Sequence, residues 1–329
     1  MPAYSCVSLK AVIVDNDLRI IHQASVVFDT DLPEFRTHGG VVQSRMTPTI
    51  ATVPTLLWVK SLDILMDRLL VAGVDFSKIA AISGTAQQHG SQHGSVYWQN
   101  GADDKLRHLD AGQFLHQQLS TYFSITNSPI WMDSSTTKEC RELEESVGGP
   151  EELAKITGSR AYERFTGPQI AKIYQTKPEL YLNTERISLI SSFLCSLFLG
   201  KIAPIDVSDG SGMNLMDIKS KTWHQSLLNT VAPDLAGKLG DIVPSYANLG
   251  PVCSYFTDRW TFNPECKIIA FTGDNPASLI GMGLTEGWIA VSLGTSDTLF
   301  LWLNEPKVVL EGHILCNPLN INSYMALLW

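Results

Sequence analysis

The stretch KIIAFTGDNPASLIGM occupies residues 267–282. Lys267 to Phe271 is a short apolar run of strand character, Thr272 to Asn275 is polar and turn-like, and Pro276 to Met282 opens a helix. A strand passing through a tight turn into a helix is the unit of an α/β layered fold. In such folds ligands gather on the loops beyond the C-terminal ends of strands. Asp274 stands at that position.

The same alternation extends in both directions. Downstream, Trp288–Leu293 reads as a strand, Gly294–Ser296 as a turn and Thr298–Trp302 as a strand. Upstream, Ile79–Ser83 reads as a buried strand, followed by a polar, glycine-bearing loop and a strand at Gly94–Trp98. A helix is predicted over Pro54–Val71, where Leu57, Leu62, Leu65, Met66 and Leu69 recur at helical steps and Gly73 supplies the stop. Near the start, Lys10–Asp15 and Arg19–Phe28 flank Asn16-Asp17 and read as a hairpin. The loops to search are therefore 84–94, 272–275 and 294–296.

Composition narrows the function classes. The chain has 329 residues, 44% of them apolar and 17% charged, with 24 glycines and 16 prolines. That balance suits a folded protein of about two domains and excludes disordered, collagenous and coiled-coil chains. A formal charge of −9 repels polyanions on average, so nucleic acid is not an expected partner. The most apolar segment, ISLISSFLCSLFLG at 187–200, is 14 residues long and holds four serines, which reads as buried core and not as a membrane span. The opening MPAYSCVSLKAVIVDND lacks the pattern of a signal peptide. Six scattered cysteines without a CxxC point to neither zinc nor a disulfide framework, and a reduced cytosolic (cytoplasmic) setting is expected.

Several residues are placed to carry chemistry. A carboxylate at Asp274 beside a helix start is held ionised and can take a proton from a hydroxyl, although a plain helix cap has the same appearance. AVSLGTSDTLF at 290–300 offers a glycine-containing turn with backbone N–H groups and hydroxyls for a phosphate, but it has no Walker A lysine, and an ordinary hairpin turn is the alternative. SGTAQQHGSQHG at 83–94 carries His89 and His93, with the tetrapeptide QHGS written twice. Neutral histidine and glutamine can hydrogen-bond sugar hydroxyls, or the loop is merely solvated. Arg160 and Arg164 lie in GSRAYERFTG, as anion or sugar ligands or as surface ion pairs. Trp131 and Asp133 in WMDSST could be a sugar-stacking ring and a hydroxyl acceptor, or core and cap.

Taken in order, these stretches resemble the FGGY carbohydrate kinases, and within that family its xylulose kinase branch. The resemblance runs from about Leu9 to Trp329, through DLPEF (31–35), SGTAQQHG (83–90), GSVYW (94–98), WMDSST (131–136), GSRAYERFTG (158–167), IDVSDGSGMNL (205–215), FTGDNPASL (271–279) and VSLGTSDTLFLWL (291–303). It implies an α/β, actin/hexokinase-like (ribonuclease H-like) fold of two domains. These are a sugar-binding N-terminal domain over 1–286 and the start of an ATP-binding domain over 287–329. It also implies transfer of a phosphoryl group from ATP, with Mg²⁺, to D-xylulose. Asp274 would be the base. His89 or His93, Arg164 and Asn275 would contact the sugar, and Gly294, Thr295 and Ser296 would form the second phosphate loop.

Three departures accompany the resemblance. AYSCVS stands at 3–8, where the family carries an Asp-x-x-Thr-Gln phosphate loop. Family members continue past Trp329. The doubled QHGS lengthens the sugar loop, so that His89 fits the pattern counted from the left and His93 counted from the right. The chain is therefore expected to be incomplete, with strands 288–293 and 324–329 turning apolar faces to water. The rival readings are a non-catalytic sugar-binding protein and another sugar kinase of the same family.

Overall fold

The computed structural model describes residues 7–86, 94–292 and 298–328. The expected hairpin forms from β1 (Ser8–Val14) and β2 (Ile20–Val27), paired antiparallel from Ser8↔Val27 onward. Helix α1 (Thr55–Val71) follows, burying Leu57, Leu62, Leu65, Met66 and Leu69 on one face. Those residues join Val26, Phe28, Trp98, Phe193, Phe256 and Ile268 in the largest hydrophobic core.

The strand expected at Ile79–Ser83 is shorter and less buried than its sequence suggests. Only β3 (Ala81–Ile82) pairs, with Ala81 exposed, and a second short strand, β4 (Thr85–Ala86), follows after Ser83-Gly84. Gly84 is required there, because a Cβ would come within 2.5 Å of the Phe271 ring. Next come β5 (Ser95–Gln99), α2 (Thr166–Thr176), β6 (Thr184–Leu189) and α3 (Ile190–Leu199). The apolar run at 187–200 is thus divided between the end of β6 and the buried helix α3, in which Ser196 Oγ donates to the Ser192 carbonyl at 2.6 Å. No helix among the described residues is long and apolar enough to cross a membrane.

The following elements are β7 (Ile205–Asp206), α4 (Val207–Gly210), β8 (Ile242–Val243), β9 (Asn248–Pro251), β10 (Lys267–Ile269), β11 (Thr272–Gly273) and α5 (Asp274–Gly281). Strand β10 runs parallel to β3, with Lys267↔Ala81 and Ile268↔Ile82, and β11 runs parallel to β4, with Thr272↔Thr85 and Gly273↔Ala86. Two chain segments, 81–86 and 267–273, therefore travel side by side in the same direction.

The last strands, β12 (Ile289–Ser292), β13 (Thr298–Leu303), β14 (Gly312–Cys316) and β15 (Tyr324–Leu328), form one antiparallel sheet in the order β12-β13-β15-β14. The expectation of bare apolar faces fails for β15. It is interior to the sheet, with Met325 and Leu327 packed with Leu279 and Leu284, and Tyr324 and Ala326 packed with Val207 and Met216. Edge strand β12 does expose its side chains, with Ile289 60% and Val291 57% accessible against 0% for Leu327.

Candidate active site

Asp274 is the first residue of α5, not part of a turn ahead of it. The helix begins two residues before Pro276, whose ring fits a first turn where no N–H partner is needed. Its N-cap, Gly273, is extended at φ −73° and ψ 162°, so β11 passes directly into the helix. Asp274 is half-buried and Asn275 is buried beside it. A carboxylate in a helix first turn lies at the positive end of the peptide dipoles, which favours its ionised form. Ala86, the residue before the histidine-bearing stretch in sequence, is paired with Gly273, the residue before Asp274. His89 and His93 themselves lie outside the described residues, as do Gly294, Thr295 and Ser296 of the expected phosphate loop.

Arg164 is carried by the loop that enters α2. Its guanidinium carbon stands 5.8 Å from the centroid of the Trp131 ring, within the range of a cation–π contact. Both side chains are half-buried. Their two loops are tied to one another: Thr136 Oγ1 donates to the Glu163 carbonyl, and Gln169 Nε2 donates to the carbonyls of Asp133 (3.3 Å) and Glu163 (3.1 Å). Asp133 is a scaffold residue and not a sugar-facing acceptor. It is buried and accepts from the Ala51 amide at 3.1 Å, the Ser135 amide at 3.1 Å and Gln169 Nε2 at 2.9 Å. Arg160 takes the plainer of its two roles, an exposed pairing with Glu144 at 3.6 Å.

The segment 205–215 entered the sequence reading only as a matching stretch, yet it braces both halves of the site. Asp206 Oδ2 accepts from Thr272 Oγ1 at 2.9 Å, two residues before Asp274. Asn214 Nδ2 donates to Thr157 Oγ1, the Ser159 carbonyl and the Arg160 carbonyl, each at 3.2 Å, at the start of the loop that reaches Arg164. Ser211 Oγ accepts from the Cys316 amide of β14 at 3.0 Å. His313, also of β14, is buried with its Nδ1 2.9 Å from Ser159 Oγ and its ring 4.9 Å from that of Phe165. Gly158 allows this approach. It has φ +86°, and a Cβ there would lie 2.2 Å from the Ile314 carbonyl oxygen. A run of Asp, Ser and Asn with glycines is a signal of side-chain-to-backbone bracing, but its partners are distant in sequence and cannot be read from it.

The electrostatics separate these residues into kinds. Burial, followed by the charge of Asp209, pushes the Asp206 carboxyl up to about 7. Asp209 in turn accepts from Ser191 Oγ. Cys195 and Cys316 are pushed by burial up to about 12, so neither presents a thiolate at neutral pH. The five described cysteines are free of disulfides.

Residues 121–281 match the N-terminal domain of the FGGY family of carbohydrate kinases. The chain is 55% identical to a xylulose kinase of Rattus norvegicus, over 99% of this chain and 60% of that protein. It is 48% identical to xylulose kinase 2 of Arabidopsis thaliana, over 98% of this chain and 57% of that protein. A crystal structure described as a xyloylose kinase from Brucella ovis superposes with a TM-score of 0.77 at 20% identity, covering 98% of this chain and 58% of that one. This likeness fixes the fold as that of the actin/hexokinase-like sugar kinases. The chain spans about three fifths of the length of the curated relatives it matches. The chain is thus similar over nearly its whole length to xylulose kinases, and residues 121–281 match the N-terminal domain of the FGGY family of carbohydrate kinases.

Proposed function

We propose that this chain is the sugar-binding part of a xylulokinase, which transfers the γ-phosphoryl group of ATP to D-xylulose and yields D-xylulose 5-phosphate. The observation that carries the reading is the parallel register Gly273↔Ala86, which sets the residue before the histidine-bearing stretch beside the residue before a carboxylate at a helix start. That arrangement suits a hydroxyl nucleophile: Asp274 accepts its proton while Asn275, Arg164 and His89 or His93 hold the sugar. The substrate comes from the names of the relatives at 55% and 48% identity.

ATP and Mg²⁺ belong to this proposal as substrate and counter-charge. Among the described residues no three His, Cys, Asp or Glu side chains converge to hold a metal ion by themselves. Kinase Mg²⁺ is carried mainly by the nucleotide phosphates with one or two carboxylates, so the donor set suits an ion that arrives with ATP. It would neutralise phosphate charge, and Gly294, Thr295 and Ser296 would supply backbone donors to the same phosphates. The division at 286/287 and a cytosolic setting go with the reading.

Binding is tested first on the chain as it stands. Titration with D-xylulose, glycerol and gluconate, followed by calorimetry, should show saturable binding of D-xylulose alone. Equal binding of all three would favour another sugar kinase, and no binding of any would reject the reading. Single alanine variants of His89 and His93 then decide which one contacts the sugar. His89→Ala is expected to lose more, because SG-x-x-QQHG keeps its spacing from the strand end.

A further inference from the structure

Asp206 holds a four-way junction. It is 1% accessible, and its Oδ2 accepts from the amides of Ser208 (3.2 Å) and Asp209 (3.4 Å), from Ser245 Oγ and from Thr272 Oγ1 (2.9 Å). Three of these donors belong to the cap of α4 and to the segment after β8, where they do general structural work. The fourth is different in kind. Thr272 is fixed on its other side by the ladder, its amide donating to the Gly84 carbonyl at 3.1 Å. With hydroxyl and amide both engaged, Thr272 cannot rotate or slide, and only the extended Gly273 separates it from Asp274.

We infer that Asp206 is a positioning residue for Asp274, acting through the Thr272 hydroxyl to set where the carboxylate meets the sugar. This rests on the reading of Asp274 as a sugar-contacting base. Displacements of about 1 Å at a reacting group can cost on the order of 10²-fold, so one anchored hydroxyl is enough to matter. A carboxyl group is suited to the task because a single oxygen can accept hydrogen bonds from several donors at once. It thereby ties β7, α4 and β11 to a common point.

Asp206→Ala strips four donors of their acceptor together and is expected to unfold the region, so the link is read on Thr272. In Thr272→Val the shape is kept and the donor lost, in Thr272→Ser the donor is kept, and Ser245→Ala removes a different donor from the same oxygen. D-xylulose binding to the 329-residue chain should weaken about tenfold in Thr272→Val and stay within about threefold of wild type in the other two. Amide exchange in a peptide covering 272–280 should quicken in Thr272→Val alone. Unchanged binding and exchange in Thr272→Val would overturn the inference, as would equal losses in Thr272→Ser or Ser245→Ala. Should the unsubstituted chain fail to bind D-xylulose, the reading of the site falls. The exchange measurement still decides the Asp206–Thr272 link, with exchange unchanged in Thr272→Val counting against it.

Discussion

The two arms of the site are built by opposite means. The Asp274 arm is a product of backbone pairing. Strands β4 and β11 lie in register, and one buried carboxylate fastens β11 from behind. The Arg164 arm has no strand in it. Side chains hold it to carbonyls: Asn214 to residues 159 and 160, Thr136 and Gln169 to Glu163, with the Trp131 ring under the guanidinium. A ladder tolerates changes in most of the side chains along it, whereas an arm held by side chains fails one bond at a time. Substitutions should therefore separate the arms, the first responding chiefly to loss of its chemical group and the second to loss of its supports.

The largest effect is expected at Asp274 itself. Asp274→Asn keeps the size and the helix start but cannot accept a proton, and loss of a positioned base typically lowers kcat by about 10²–10⁴-fold. Turnover is best measured in a fusion of this chain to the part of the rat relative it does not cover. The melting temperature should change little. A kcat within a few-fold of the unsubstituted fusion would remove Asp274 from the role.

That arm was also the more legible in the sequence. The apolar run before Thr272, the glycine and the proline at 276 mark a strand, a turn and a helix from local chemistry alone. Only the phasing differed, because a proline is accepted inside the first turn and not only at its first position. The hairpin and α1 were equally plain, each being set by periodicity and turn residues. The strand at Ile79–Ser83 was misjudged in length, since its apolar run does not reveal that Gly84 must let Phe271 pass. The second arm was nearly illegible. Arg164 and Trp131 were found as residue types, but Asp133 was left open between a hydroxyl acceptor and a cap and is a brace, and Asn214 and Asp206 carried no assigned role at all. Their bonds join residues dozens of positions apart, and such partners are set by packing and not by local pattern.

The supports of the second arm give the next effects. Asn214→Ala removes one amide that serves three acceptors at 157–160. Leaving buried acceptors without a donor costs about 1–3 kcal/mol, so the melting temperature should fall and D-xylulose binding should weaken. Amide exchange at 272–276 should stay as in wild type, and if it quickens equally, the arms are not independent. Arg164→Lys is milder. It keeps the charge but loses the planar fork and its stacking on Trp131, so sugar affinity should drop several-fold with little change in stability. Affinity equal to wild type would show that Arg164 contributes charge alone.

The smallest expected effect is a pH dependence peculiar to the first arm. Burial and the neighbouring Asp209 raise the Asp206 carboxyl to about 7, from an ordinary value of 3.8. Between those values the folded protein keeps a proton that the unfolded chain releases. The stabilisation from this group is therefore full below the ordinary value and is lost as pH rises through about 7. Asp206→Asn cannot titrate. The melting temperature of wild type minus that of the variant should consequently shrink between about pH 5 and about pH 8. Asp31 and Glu34 are held below their ordinary values, chiefly by hydrogen bonds from Arg68 and Lys60, and they lose their contribution as pH falls. Both proteins share that loss, so it cancels in the difference. The Arg164 arm supplies the control: the same subtraction made with Asn214→Ala should be flat across the range, since that substitution removes no titrating group. A flat difference for Asp206→Asn as well would mean that Asp206 stays charged in the folded protein, and the Asp274 arm would then be fastened by an ionised carboxylate throughout.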